Sequence, residues 1–355
     1  MNMTIKKNII TLCSVVCLTL FTSCTKTTIE ENSKPQSVKP QDIVPVVILG
    51  GGIAGLTASI YLQQSNIPAL VVEGPKPGGA LGQSHEVNNW PGEYHVSGAS
   101  IVEKIKKHAL QSGATIIDGV VQNVTFTSLP YQITIELPDG KLKTIATHTC
   151  IIAMGTEPNF LHIPGEQGED GFWGRGVSNC AVCDGAFYKN KKVVVVGGGD
   201  SAVEQAHYLS NIASSVTMLI RKDVFAAKDK KALDLLLKKE NVSVRFNTAP
   251  HQIEGDAYGV TAIHTTNTKT NKQETIAVDG IFLAIGSRPN TTLFKDQLEL
   301  TPQGFITLKN HQETSRPGIF AAGDIADNHF IQAITAAGDG CRAALQAKRF
   351  LDTLS

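Results

Sequence analysis

The chain has no net charge: 32 lysines and arginines offset 32 aspartates and glutamates. A nucleic-acid partner calls for a basic face, so that class is excluded. Aromatics make up only 6% of the residues against 42% apolar ones, the balance of an ordinary globular protein. The apolar run Ile9–Phe21 is shorter than the roughly 20 residues that span a bilayer. Cysteine is sparse, with 7 in 355 residues. Only one C-x-x-C occurs, Cys180 and Cys183, and no H-x3-5-H accompanies it. Zinc needs four ligands, so a metal site is not expected. The length suggests about two domains.

What is present is concentrated in residues 177–206, VSNCAVCDGAFYKNKKVVVVGGGDSAVEQA. A C-x-x-C alone is a redox pair, half a zinc site or two ordinary cysteines. Here Asp184 follows it, then the apolar strand run Val193–Val196, then Gly197-x-Gly199-x-x-Ala202. That last pattern is the turn into a helix which binds a dinucleotide pyrophosphate. A nicotinamide hydride carries two electrons together, and a flavin is the usual intermediary to a disulfide. A flavin site elsewhere in the chain is therefore expected.

A second fingerprint meets that expectation. The strand Val46–Leu49 enters Gly50-x-Gly52-x-x-Gly55, a helix runs to about Gln64, and the strand Ala69–Val72 ends at Glu73. Gly50 allows the tight turn, Gly52 admits the pyrophosphate to backbone N–H groups, and Gly55 lets helix and strand pack. Glu73 accepts bonds from ribose hydroxyls. The alternative is a tight βα turn with no ligand. A loop through Trp90-Pro91-Gly92 leads to an amphipathic helix from about Ser97 to Gln111, and short β runs occupy 114–152. Residues 153–176 are a Gly/Pro-rich connection. IFLAIGSRPN (281–290) echoes CIIAMGTEPN (150–159), a weak internal repeat. Near the end a strand enters Gly323-Asp324 before a long closing helix. Asp324 there is either a structural cap or a hydrogen-bonding partner of a cofactor.

The N-terminus differs from the rest. Lys6 and Lys7 precede the apolar run, and Leu20-Phe-Thr-Ser-Cys24 resembles a bacterial lipobox. The composition is that of a secretory signal, so an exported lipoprotein facing the periplasm or cell exterior is expected. A signal-like extension on a cytoplasmic protein is the alternative. Residues 25–43 read as a flexible linker containing Pro35 and Pro40. Cys13 and Cys17 then leave with the signal and Cys24 carries lipid. Cys150, in an apolar strand, and Cys341, on the last helix, read as packing residues, the alternative being a disulfide.

From about Val44 onward the chain resembles the bacterial low-molecular-weight thioredoxin reductases. The resemblance rests on GGGIAG, PGG…VNNWPG, CAVCDG, GGGDSAVEQA, PGIFAAGD and QAITAAGDGCRAAL, in that order. It implies an α/β fold of two Rossmann-like domains, the second inserted in the first. An FAD domain spans 44–162 and 289–355, and an NADPH domain with the dithiol spans 163–288. FAD contacts are implied at Gly50, Gly52, Ala54, Gly55, Glu73, Gly79, Asn89, Gly155, Gly323, Asp324, Gln332 and Ala333. NADPH contacts are implied at Gly197, Gly199, Asp200, Ser201, Ala202, Arg221, Lys222 and Gly286. Cys183 would face the flavin, Cys180 would attack a thioredoxin-like protein, and Asp184 would supply the proton. A homodimer is implied, and so is rotation of the inserted domain on connections near 160–165 and 286–290.

The chain also departs from the family. The 2′-phosphate clamp HRRxxFRA is here Ile220–Ala227, IRKDVFAA, keeping Arg221 and Lys222 but losing two polar groups. Lysine lacks the planar fork that arginine offers phosphate. Ala80 stands for a glutamine and Ile331 for an arginine near the flavin. Two rivals follow: a flavoenzyme of the same fold fed by another donor, and a non-catalytic flavoprotein remnant.

Overall fold

The structure is a computed structural model that describes residues 43–354. The signal-like segment 1–24, with its lipobox, lies outside the described residues. So does the expected linker except Ile43, which already belongs to the first strand. Strand β1 (Ile43–Leu49) reads IVPVVIL, and its last four residues are wholly buried. A continuous β-branched and apolar run of this kind suits a strand covered on both faces.

Around β1 the chain sets α1 (Ile53–Gln64), β2 (Ala69–Val72), the single turn α2 (Gly79–Gly82) and α3 (Gly98–Gln111). Ser97 caps α3, its hydroxyl accepting the Ser100 N–H at 3.2 Å. Then come β3 (Thr115–Ile117), β4 (Val120–Thr125), β5 (Tyr131–Glu136) and β6 (Leu142–Ile152). β3, β2, β1 and β6 are parallel, and a late strand, Ile319–Ala321, joins the far end of β6. β5 and β4 extend the near end of β6 antiparallel, so this sheet is mixed.

The second sheet follows a short strand, β7 (Thr156–Pro158). It comprises β8 (Val177–Ser178), β9 (Lys192–Val196), β10 (Ser215–Ile220), β11 (Val242–Phe246) and, after an antiparallel layer of β12 (Thr248–Asp256), β13 (Gly259–Asn267) and β14 (Gln273–Ala277), β15 (Gly280–Leu283). Its order is β11-β10-β9-β15-β8, parallel throughout. Numbered in chain order, the parallel part of the first sheet (β3-β2-β1-β6 and Ile319–Ala321) runs 3-2-1-4-5. In the second, β9, β10, β11 and β15 repeat its 3-2-1-4, with β8 added at the edge from earlier in the chain; β1 and β9 each feed a glycine turn. The turn α4 (Ala181–Asp184) and the helices α5 (Asp200–Ser210) and α6 (Lys230–Leu237) belong to this unit. α6 and α4 were not expected from the sequence. Apolar clusters fill both faces of each sheet.

The chain crosses between the two sheets twice, and the crossings are paired. β7 lies antiparallel to β16 (Ser287–Pro289), with Glu157 opposite Arg288. The echoed Pro-Asn ends then lock reciprocally. Asn159 donates its backbone N–H to the Gly286 carbonyl (3.0 Å) and its side-chain amide to the Ile285 carbonyl (3.1 Å). Asn290 mirrors this on Gly155 (3.1 Å) and Met154 (2.8 Å). The internal repeat thus has a physical cause: each copy supplies half of one clasp. Beyond it the fully buried Glu166 carboxylate accepts the N–H groups of Leu161 (2.7 Å), His162 (2.6 Å) and Ile163 (3.4 Å). After the crossing the chain closes with α7 (Ala333–Asp352), packed on α1.

Glu166→Ala would leave these N–H groups without their acceptor. The expected cost is about 2 kcal/mol of unfolding free energy, since buried donors would be left unsatisfied. Chemical denaturation measures it, and a loss under about 0.5 kcal/mol would show that solvent replaces the carboxylate.

Candidate functional site

The two glycine turns face one cleft of about 2270 Å³. At the first turn, a Cβ on Gly50 would sit 2.2 Å from the Ala153 carbonyl, and one on Gly55 would sit 2.0 Å from the Gly50 carbonyl. These two positions are closed by packing. Gly52 is different: the nearest atom to its Cβ position, the Gly79 Cα, is 3.8 Å away. Gly52 is also the N-cap of α1, with no side chain capping the helix. Unpaired N–H groups at an open helix start suit a phosphate.

The acidic end of β2 bears on the same question. Glu73 is buried, and its Oε2 pairs with the Lys106 ammonium at 2.5 Å. Its Oε1 is buried with no partner. A buried carboxylate oxygen without a donor is costly, and a ribose hydroxyl is a fitting donor. Asp324 tells a similar story. Burial, helped by the charges of Asp327 and Asp339, pushes its carboxyl up to about 6. Asp339 sits directly behind, accepting the Gly323 N–H at 3.2 Å and the Gln312 amide at 3.0 Å, and pairing with Arg342. The residues present therefore fit a hydroxyl-rich dinucleotide such as FAD.

The second turn repeats the pattern. Gly197 has φ +141°, and a Cβ there would meet the Ala284 carbonyl at 2.3 Å. Gly199 is the uncapped N-cap of α5, with open space where its Cβ would be. Ala202 is wholly buried beneath the turn. Ser201 lines the cleft, as does Gly286 at the crossing. The Asp200 carboxylate accepts the N–H groups of Lys228 (2.6 Å) and Asp229 (3.0 Å), contacts which hold its pKa down. It fastens a loop over the helix start. This site fits a second dinucleotide phosphate.

Between the turns lies the dithiol. Cys180 and Cys183 form a disulfide of 2.05 Å. Cys180 is the N-cap of α4, its sulfur accepting the Cys183 N–H at 3.2 Å. The Ser178 hydroxyl accepts the Cys180 N–H at 3.0 Å and also bonds Asp184. Gln205 on α5 donates to the Asn179 carbonyl at 3.2 Å, tying the dithiol loop to the nucleotide helix. Burial raises the Asp184 pKa, and the Ser178 bond opposes the shift only in part. Tyr188 beneath is pushed up to about 12, by burial first and then by the Asp184 and Asp279 charges. Across the cleft the Gln332 amide stands 3.8 Å from the Cys180 sulfur and 3.9 Å from that of Cys183, and its oxygen takes the Asn89 amide at 3.3 Å. Gln332 is the residue before α7.

Among the expected site residues, Gly50, Gly52, Ala54, Glu73, Gly79, Asn89, Gly155, Gly323, Asp324, Gln332 and Ala333 line the cleft. From the second unit Gly197, Gly199, Asp200, Ser201, Gly286, Cys180, Cys183 and Asp184 join them. Gly55 and Ala202 stand behind, supporting the turns. Arg221 and Lys222 are exposed and outside the lining. β10 ends at Ile220, which is buried against Gly198, and the chain then turns to solvent. Lys228 lines the cleft instead. Sequence reasoning missed it, along with Ser178, Gln205 and Glu166. Only Lys228 left a signal, in the lysine-rich run AAKDKK. Cys150 is wholly buried in β6, its thiol pushed far up by desolvation, and Cys341 is half-buried.

Comparison with known proteins places these features in context. The family described as pyridine nucleotide-disulphide oxidoreductase matches residues 44–340. A thioredoxin reductase of Coxiella burnetii is 40% identical over 318 residues, covering 87% of this chain and 97% of that one. A protein of Pseudomonas fluorescens named glucosaminate ammonia-lyase is 41% identical over 321 residues, covering 87% and 96%. Among solved structures, a thioredoxin reductase from Giardia duodenalis superposes with a TM-score of 0.82 at 36% identity, covering 88% of this chain and all of that one. These findings overturn the expected placement as an exported, membrane-anchored lipoprotein. The Coxiella burnetii enzyme is matched almost end to end while the matched portion leaves out 13% of this chain, and none of these relatives is named as a lipoprotein. No helix among the described residues is long and apolar enough to cross a membrane.

The Asp324 carboxyl supports a pH prediction. In the flavin-free protein it is protonated below about 6. Hydroxyl donors favour its ionised form, so FAD affinity should fall as the pH drops through that value, by about tenfold between pH 7 and pH 5. Asp324→Asn should flatten the profile. Fluorescence titration of the flavin-free protein measures it, and identical profiles for both proteins would remove Asp324 from the site.

Proposed function

Because this chain belongs to the thioredoxin reductase family of pyridine nucleotide-disulphide oxidoreductases, we propose that it reduces a disulfide of a thioredoxin-like protein through Cys180 and Cys183. A member of this family is an FAD- and NADPH-dependent oxidoreductase acting on a disulfide. The observation that carries the reading is the Cys180–Cys183 disulfide, lining the same cleft as two uncapped, glycine-turned helix starts. FAD, when bound, passes an electron pair from the nicotinamide to the disulfide.

The residues then have separate tasks. Gly52 and the start of α1 hold one pyrophosphate, with Glu73 and Asp324 on the hydroxyls. Gly199, Ser201 and the start of α5 hold the other. Once reduced, the Cys180 thiolate attacks the substrate disulfide, forming one S–S bond as the first substrate thiolate leaves. Cys183 attacks the Cys180 sulfur, releasing the second substrate thiolate and restoring the Cys180–Cys183 bond. Asp184, protonated to higher pH than an ordinary aspartate because of its burial, gives a proton to a departing thiolate.

The proposed domains are 44–162 with 289–355 for FAD, and 163–288 for NADPH and the dithiol. Their support is that each range contains one set of parallel strands whose leading βα unit, β1 or β9, enters a glycine turn. Substrate access to Cys180 calls for the second domain to swing. The paired crossing β7·β16 is the natural pivot, because Glu166 stiffens the chain just after it. A homodimer follows from the family resemblance alone.

Cys180→Ser and Cys183→Ser should each abolish NADPH-driven reduction of a thioredoxin-like protein while the flavin is still bleached by NADPH. Near-normal turnover by either variant would sink the assignment. Asp184→Asn should slow disulfide reduction by about 10²–10⁴-fold where the acid is protonated. As the pH rises through the raised Asp184 pKa the wild type loses its acid, so the ratio of wild-type to variant rate must fall. A ratio that grows with pH contradicts proton donation by Asp184.

A further inference from the structure

We propose that Lys228 is a phosphate contact for the nicotinamide dinucleotide, the cation that Arg221 and Lys222 do not bring into the cleft. The inference rests on the NADPH reading above and adds a specificity-determining residue to it. Three observations carry it.

The first is placement. Lys228 and Asp229 line the cleft beside Gly197–Ser201, whereas Arg221 and Lys222 do not line it. The second is anchorage. The chain from 226 to 229 is stitched over the second glycine turn. Ala226 and Ala227 donate their N–H groups to the Gly198 carbonyl at 2.8 and 3.0 Å. Lys228 and Asp229 donate theirs to the Asp200 carboxylate at 2.6 and 3.0 Å. Four backbone bonds therefore hold Lys228 against the first residues of α5, so its stem starts at the mouth of the helix. The third is charge availability. Lys230 is tied by its ammonium to the Ala227 carbonyl at 3.0 Å. Lys269 pairs with Asp223 at 3.1 Å. Among the described residues Lys228 forms no ion pair, although its charge is felt by Asp200.

An uncapped helix start with a lysine fixed beside it combines backbone donors with a mobile point charge. Both favour a phosphate group. Asp200 serves this arrangement indirectly. Its carboxylate is consumed by backbone N–H groups, so it holds the lysine in place while its own negative charge is partly neutralised.

The test is direct binding of NADP⁺ and NAD⁺ to the purified flavin-loaded protein by calorimetry, at two salt concentrations. Lys228→Ala should weaken NADP⁺ binding by about tenfold, the low end for a charge-assisted contact at a solvent-washed site. Lys228→Arg should restore most of it, and the salt dependence should be shallower in Lys228→Ala. Equal loss for both nucleotides puts the contact on the pyrophosphate, and loss for NADP⁺ alone puts it on the 2′-phosphate. Either supports the inference. Flavin content and thermal midpoint, read alongside, should match the wild type. Binding of both nucleotides within twofold of wild type overturns the role of Lys228 and leaves the reductase reading standing. A wild type that binds neither nucleotide overturns both.

Discussion

The double crossing between the two sheets is the constraint on which the rest depends. Two strands of three residues, β7 and β16, carry the whole covalent connection, and two asparagines cross-brace it. Because each asparagine bonds the carbonyls next to the other's strand, neither crossing can shift without breaking bonds on both. Glu166 continues the rigid region on one side by collecting three N–H groups. The two glycine turns and the disulfide keep their relation across the cleft through this clasp.

The electrostatics of the cleft follow from where carboxylates are buried. Glu73, Asp184 and Asp324 all lie at its walls, and each is handled differently. Glu73 has a lysine on one oxygen and nothing on the other. Asp324 is made hard to ionise by burial and by two neighbouring acids. Desolvation raises the Asp184 pKa, with Ser178 working against it. Asp200 is the contrast, half-buried, with its pKa held down by the backbone donors of Asp229 and Lys228. Groups that must accept bonds from hydroxyls, donate a proton or brace a loop thus receive different surroundings on one fold.

Much of this was legible in the sequence, for identifiable reasons. Gly50, Gly55 and Gly197 are read because close backbone approach admits no Cβ, and such turns leave a spaced glycine pattern. Both Rossmann-like cores, β1 and β9 with their neighbours, follow from strand, glycine turn and helix recurring twice, whereas β8, which joins the second sheet from upstream, left no such pattern. The Cys180–Cys183 pair was visible because redox chemistry needs two sulfurs in reach. The 150–159 and 281–290 echo was visible too, though its cause, the reciprocal asparagine clasp, was not. Other features stayed hidden because they depend on contacts distant in sequence. Glu166 looks like any surface acid until the chain folds over it. Lys228 looks like one lysine in a solvated run until Asp200 draws it to the helix start. Arg221 and Lys222 drew attention by motif, and they stand exposed just past the end of β10, outside the cleft lining. The signal-like N-terminus shows the opposite failure, a compositional pattern that the comparisons with known proteins did not sustain.

The central claim is that the disulfide and the flavin are two electron-pair stores in series within one chain. Anaerobic titration of the flavin-loaded protein with NADPH, with alkylation of released thiols at each step, tests it most directly. The account predicts that full reduction takes two equivalents of NADPH per flavin, and that Cys180 and Cys183 become alkylatable together. A protein lacking both cysteines should take one equivalent. If the unaltered protein is fully reduced by one equivalent while Cys180–Cys183 remains a disulfide, the two are not in series and the account fails.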